Sequence, residues 1–182
     1  MVPIAHDLSA HGLAVWNIAY RRGDSAWRET LADVAAAYDE LAAIDSLDLT
    51  RIVTLGHSVG GHLAGWLASH REVRGFVGLA PVLDLVEAER RGLGSHAVRD
   101  FLGGTPDEVP DRYAFAAVAA HAPQVIVHGA LDDTVPVDLS QAYAATTGAR
   151  LIELPDADHF SVIDPGSPDW PTVREALWQL LA

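Results

Sequence analysis

Arg51-Ile52-Val53-Thr54-Leu55-Gly56-His57-Ser58-Val59-Gly60 sets a β-branched, apolar run directly before the pattern G-x-S-x-G. The residues that follow, Gly61 to Ser69, are rich in Ala and Leu and read as a helix. A strand that ends in this pattern and continues as a helix must turn sharply, and it holds the serine at the apex with its hydroxyl exposed. Glycine two residues before and two residues after Ser58 relieves crowding, because a side chain at either place would collide in so tight a turn. A serine at a helix start also serves as an N-cap. The flanking glycines and the partners found downstream favour a nucleophile.

A serine hydroxyl is a weak nucleophile. It needs an adjacent base, and the base needs a third group that fixes its tautomer and stabilises the imidazolium. Asp132 lies 74 residues after Ser58 (132 − 58), in His128-Gly129-Ala130-Leu131-Asp132-Asp133-Thr134-Val135-Pro136, behind the apolar run Gln124-Val125-Ile126-Val127. His159 lies 27 residues further (159 − 132), in Asp156-Ala157-Asp158-His159-Phe160, behind the strand-like Arg150-Leu151-Ile152-Glu153-Leu154. In this assignment Ser58 attacks, His159 carries the proton and Asp132 orients His159. One of Asp132 and Asp133 is simply a turn acid. His57 points away from its neighbour Ser58 and reads as a supporting or structural group. His62 and His128 read as packing or hydrogen-bonding residues, and Trp27, Trp66 and Trp178 as core.

Serine, acid and histidine in this chain order, each on a loop after a strand, resemble the α/β-hydrolase superfamily. The chain is most similar to its small esterases and to the carboxylesterase or prolyl-oligopeptidase-like branch. The motif H-G-x-x-D-x-x-V-P of that branch is met in full by His128 to Pro136, and it selects Asp132 over Asp133. Trp16-Asn17-Ile18-Ala19-Tyr20-Arg21-Arg22 resembles the strand that such enzymes carry before a long helix. The resemblance implies a serine hydrolase that cleaves an ester, or an amide, of a small uncharged acyl group through an acyl-enzyme. It also implies that the backbone N–H of Val59 is one oxyanion donor. A formamidase or an exopeptidase of the same architecture would share the triad.

The second oxyanion donor of that family comes from a loop that often reads His-Gly-Gly, and this sequence contains no His-Gly-Gly. Met1 to Gly12 reads as the helix after that loop, closed by Gly12 at its C-terminus. The sequence thus begins inside the family pattern, as an N-terminally shortened or mis-started frame would. A genuinely minimal hydrolase is the alternative, and a catalytically impaired or non-enzymatic relative is another. The family's missing strand belongs between Leu13–Tyr20 and Arg51–Leu55. Without it, Leu13–Tyr20 is expected either to pair with Arg51–Leu55 or to stand as an exposed edge.

Apolar β-like runs alternate with helix-period runs, which predicts an α/β fold: a mostly parallel sheet with helices on both faces. The expected strands are Leu13–Tyr20, Arg51–Leu55, Val73–Leu79, Gln124–His128 and Ala149–Leu154. Trp27, Leu31, Val34, Tyr38 and Leu41 make one apolar face of a helix from about Ala26 to Ile44. Further helices are expected at Asp84–Arg91, Val137–Thr147 and Thr172–Leu181. The 182 residues fit one domain, 1–182. The segment 83–122 within it reads equally as a small cap over the site or as a surface excursion.

Composition narrows the partners. There is no cysteine, hence no disulfide and no thiolate chemistry, which is compatible with a cytoplasmic location. No basic-plus-apolar leader and no apolar run of spanning length point to a membrane. A net charge of −13 argues against nucleic acid. No H-E-x-x-H spacing occurs, and the glycines around Ser58 fit neither phosphate-binding loop pattern. No metal or cofactor is therefore expected, only a small-molecule ester or amide substrate.

Overall fold

The computed structural model describes every residue except Ala120, and of Ala42 the backbone only. Four parallel strands form one sheet in the order β1 (Val53–His57), β2 (Gly75–Leu79), β3 (Gln124–Gly129), β4 (Arg150–Leu154). Val53 pairs with Gly75, Phe76 with Gln124 and Val125 with Arg150, each in parallel register. The helices are α1 (Val2–Ala10), α2 (Trp27–Ala42), α3 (Val59–His70), α4 (Leu85–Arg90), α5 (Leu93–Leu102), α6 (Pro110–Ala116), α7 (Val137–Thr147) and α8 (Trp170–Leu181).

Successive strands step in one direction across the sheet, so right-handed crossovers put the connecting helices on one face. On that face Ala64 and Ala68 of α3 pack against Phe76 and Ile126, and behind them lie Trp27, Leu31 and Val34 of α2. The opposite face, with Val77, Leu79, Val125 and Val127, is covered by Ile4 and Leu8 of α1 and by Trp170, Val173, Ala176 and Leu177 of α8. The two central strands are buried on both sides and read as continuous apolar runs. Each large side chain buried there contributes about 1.5–3 kcal/mol. The expected α/β architecture, with helices on both faces, is the one observed.

Two expectations fail. Leu13–Tyr20 forms no strand and pairs with nothing, neither with Arg51–Leu55 nor as a hydrogen-bonded edge. Its β-forming residues have no neighbouring ladder to satisfy their backbone groups. The segment instead passes from one core layer to the other: Leu13 packs with the α1/α8 cluster, Ile18 and Tyr20 with the α2/α3 cluster. Val15 and Trp16 face solvent. The second failure is Trp178, which is exposed rather than core. The apolar stripe of α8 runs through Trp170, Val173, Leu177 and Leu181, and the position after Leu177 falls outside it.

The segment 83–122, apart from Ala120, contains α4, α5 and α6. Asp84 caps α4 by accepting from the N–H of Glu87 at 2.9 Å. Leu85, Ala88, Val98, Leu102, Tyr113 and Ala116 join the cluster formed by α2 and α3. α5 is broken by a left-handed stretch at Gly94, Ser95 and His96. There His96 Nδ1 donates to the buried Glu89 carboxylate at 2.8 Å.

Candidate active site

The turn from β1 into α3 carries Ser58 at φ 55°, ψ −123°, a conformation that costs of order 1–3 kcal/mol for a residue with a side chain. The surroundings over-determine it. Ser58 N–H donates to Leu79 O at 2.9 Å, and Ser58 O accepts from Gly61 and His62 of α3 at 2.9 and 3.2 Å. A Cβ on Gly56 would lie 1.9 Å from Gly60 O, so only glycine closes the turn there. The same is not true of Gly60, where a Cβ would meet nothing within 4 Å. The crowding expected at both glycines is real at the first and absent at the second. Gly61 is the other tight position, 2.6 Å from Pro81 Cβ. Ser58 stands at the N-cap position of α3, yet its side chain makes no capping hydrogen bond. Among the described residues the hydroxyl has no hydrogen-bond partner.

Val59, the first residue of α3 and half exposed, has an N–H with no intrahelical acceptor. The helix dipole adds partial positive charge at this end, so the N–H suits a developing negative charge.

Asp132 and His159 meet at the carboxyl ends of β3 and β4. Gly129 makes this possible: a Cβ there would lie 2.2 Å from Ala157 O, inside the loop that carries His159. With no side chain in the way, Leu131 N–H reaches Ala157 O at 3.0 Å and the two loops lock together. His159 Nδ1 donates to Asp132 Oδ2 at 2.6 Å, with both residues buried. Asp133 is exposed and takes only a 3.3 Å bond from the Thr134 hydroxyl.

An Nδ1–H on His159 leaves the lone pair on Nε2. That nitrogen has no partner among the described residues, where no buried side-chain polar atom goes unpaired. Nε2 is therefore the part of the ring that opens to the surface. The structure records no hydrogen bond between Ser58 Oγ and His159. Such contacts are often long until substrate is bound.

Two further histidines support this arrangement. His57 Nε2 donates to the carbonyl of His159 at 2.8 Å, and burial, the largest influence, pushes its pKa down so that the ring is neutral. His128 is fully buried and donates from Nε2 to Asp132 Oδ2 at 3.1 Å and to Val135 O at 2.8 Å. A supporting or structural role for His57 and a packing or hydrogen-bonding role for His128 were legible, but their partners were not. For His128 the signal is its place at the end of β3, four residues before Asp132. His62 lies deep in α3, donating to Ala116 O at 2.7 Å. Trp27 and Trp66 are core, and Trp66 Nε1 donates to Phe115 O at 3.0 Å. Among the described residues no group of His, Asp and Glu is placed to hold a metal ion, and no helix is long and apolar enough to cross a membrane.

The fold has counterparts in known proteins. The chain is 30% identical over 152 residues to an uncharacterized protein of Mycobacterium tuberculosis, a match that covers 82% of this chain. The chain spans about half, 51%, of that relative's length. Among solved structures it superposes on esterase B from Lactobacillus rhamnosis with a TM-score of 0.76, at 20% identity over 97% of this chain and 68% of that one. It superposes on Pyrococcus horikoshii acylaminoacyl peptidase with a TM-score of 0.65, at 17% identity over 82% of this chain and 26% of that one. At such identities these two structures establish the α/β-hydrolase fold alone. A family model described as the prolyl oligopeptidase family matches residues 20–165, well over half of the chain. Elbow, acid loop and histidine loop all fall within that span, and the chain belongs to the prolyl oligopeptidase family.

Proposed function

We propose that this chain is a serine hydrolase that cleaves a carboxylic ester of a small uncharged acyl group through an acyl-enzyme, with Ser58, His159 and Asp132 as its catalytic residues. The observation that carries the reading is the 2.6 Å bond from His159 Nδ1 to buried Asp132, which in the neutral ring leaves the lone pair on Nε2. It occurs on a loop tied by His57 to an elbow whose serine hydroxyl has no hydrogen-bond partner among the described residues.

Ser58 Oγ attacks the acyl carbon while His159 Nε2 takes its proton, and the new C–O bond forms as the carbonyl becomes an oxyanion. Val59 N–H donates to that oxyanion. The tetrahedral intermediate collapses, the bond to the leaving alcohol breaks and Nε2–H supplies that alcohol's proton. Water then repeats the sequence on the acyl-enzyme and frees Ser58. Asp132 keeps the imidazole in the required tautomer and stabilises its charged form. Each oxyanion donor is worth on the order of 10²–10³ in kcat.

Val59 at the start of α3, and Leu131 and Phe160 on the acid and histidine loops, are exposed by 52, 61 and 63%. Their apolar surface suits an uncharged acyl or leaving group, which supports the choice of substrate. The family name favours a second reading, hydrolysis of an amide or peptide bond by the same residues. Turnover of a panel of acetyl, butyryl, formyl-arylamine and aminoacyl substrates, with Ser58→Ala and His159→Ala alongside, tests both. Loss of activity in each variant is expected, with the short-chain esters turned over fastest. Undiminished turnover in either variant contradicts the assignment.

A further inference from the structure

Four N–H groups converge on Asp132. Oδ1 accepts from the backbone of Thr134 at 2.9 Å and of Val135 at 2.8 Å, and Oδ2 accepts from His159 Nδ1 at 2.6 Å and His128 Nε2 at 3.1 Å. His128 is itself held on both sides. Its Nε2 faces only acceptors, Asp132 Oδ2 and Val135 O, so the ring proton sits there. Its Nδ1 is then an acceptor, and it takes the hydroxyl proton of buried Ser140 at 2.7 Å. Burial pushes the pKa of His128 below the ordinary imidazole value, as a neutral ring requires.

We propose that His128 is a positioning residue for the reaction: with Ser140 behind it, it fixes the plane of the Asp132 carboxylate and the direction in which Oδ2 accepts from His159. The proposal rests on the reading of Ser58, His159 and Asp132 given above. The two backbone donors to Oδ1 leave the carboxylate free to rotate about the axis they define. His128 adds a donor on the other oxygen and removes that freedom, so the Oδ2 lone pair left over points at His159. Ser140 holds the imidazole in the one tautomer that donates to the acid.

The test compares His128→Leu, which removes the donor, with His128→Gln, whose side-chain amide carries a donor to the same place. Two readouts are followed: kcat and KM on an activated aryl ester, and the low-field proton resonance of the His159–Asp132 hydrogen bond. The second needs no turnover. In His128→Leu the resonance is expected to shift or vanish and kcat to fall about tenfold at constant KM, the size of one hydrogen bond to a charged group. His128→Gln is expected to recover both. A folded Leu variant with resonance and kcat unchanged, or a Gln variant no better than Leu, overturns the proposal. If the Leu variant does not fold, Ser140→Ala takes its place, with a smaller shift of the resonance expected in support and no shift contradicting it. A wild-type protein without turnover contradicts the hydrolase reading, while the resonance still decides the role of His128.

Discussion

His57 Nε2 lies 2.8 Å from the carbonyl oxygen of His159, and the two rings stand 4.5 Å apart between centroids. The residue before the elbow serine thus anchors the loop that carries the base, joining parts of the chain 102 residues apart. His57→Ala removes the anchor without touching Ser58 or Asp132. Steady-state kinetics should show kcat lower by roughly three- to tenfold, the range of one neutral hydrogen bond, with KM little changed. A kcat equal to wild type would show that the loop is held by other contacts.

The two glycines of the elbow motif should behave differently. Gly56→Ala drives a Cβ into Gly60 O and is expected to cost about 1–3 kcal/mol or more, as overpacking does. Gly60→Ala meets nothing and stiffens the unfolded chain, so it should be neutral or stabilising by up to about 1 kcal/mol. Denaturant unfolding of the two variants measures the contrast. Equal losses would contradict it.

Adjacent acids give a similar contrast in activity. Asp132→Asn loses the acceptor that fixes the His159 tautomer, and kcat should fall by on the order of 10³–10⁴. Asp133→Asn touches only the Thr134 hydroxyl and should leave kcat within about twofold. Parallel assays of the two variants read this directly.

Stability should decline on mild acidification. His62 is wholly buried, and burial, its largest influence, pushes its pKa below the ordinary 6.5. The depressed folded value means that the neutral ring's contribution is fully present above pH 6.5. It is lost as the pH falls below 6.5, because the unfolded chain then binds a proton that the folded one refuses. Burial depresses His57 and His128 in the same direction. Melting temperature measured from pH 8 to pH 5 should fall below pH 6.5, and His62→Gln should flatten the curve. A melting temperature independent of pH over this range would refute the linkage.

What could be read ahead of the structure followed from local chemistry. β1, β2, β3 and β4 were legible because each is an apolar run bounded by turn residues; Asp132 was selected over Asp133 only through the family motif that His128 to Pro136 resembles. Leu13–Tyr20 misled because its composition suits a strand while strand formation depends on a partner that composition does not report. Trp178 misled because its apolar side chain lies off the stripe that the rest of α8 buries. Gly129 as the point of loop contact, and His57 as the anchor of the loop that carries the base, depend on tertiary approach between segments distant in sequence. No spacing along the chain encodes that approach.

The most direct test of the account is the intact mass of purified protein treated with a fluorophosphonate probe, beside Ser58→Ala treated in the same way. The account predicts a single adduct on the wild type and none on the variant, because only a serine activated by its histidine is phosphonylated. A wild-type protein that is folded by circular dichroism and takes up no adduct, or a Ser58→Ala variant that takes up as much as the wild type, would contradict it.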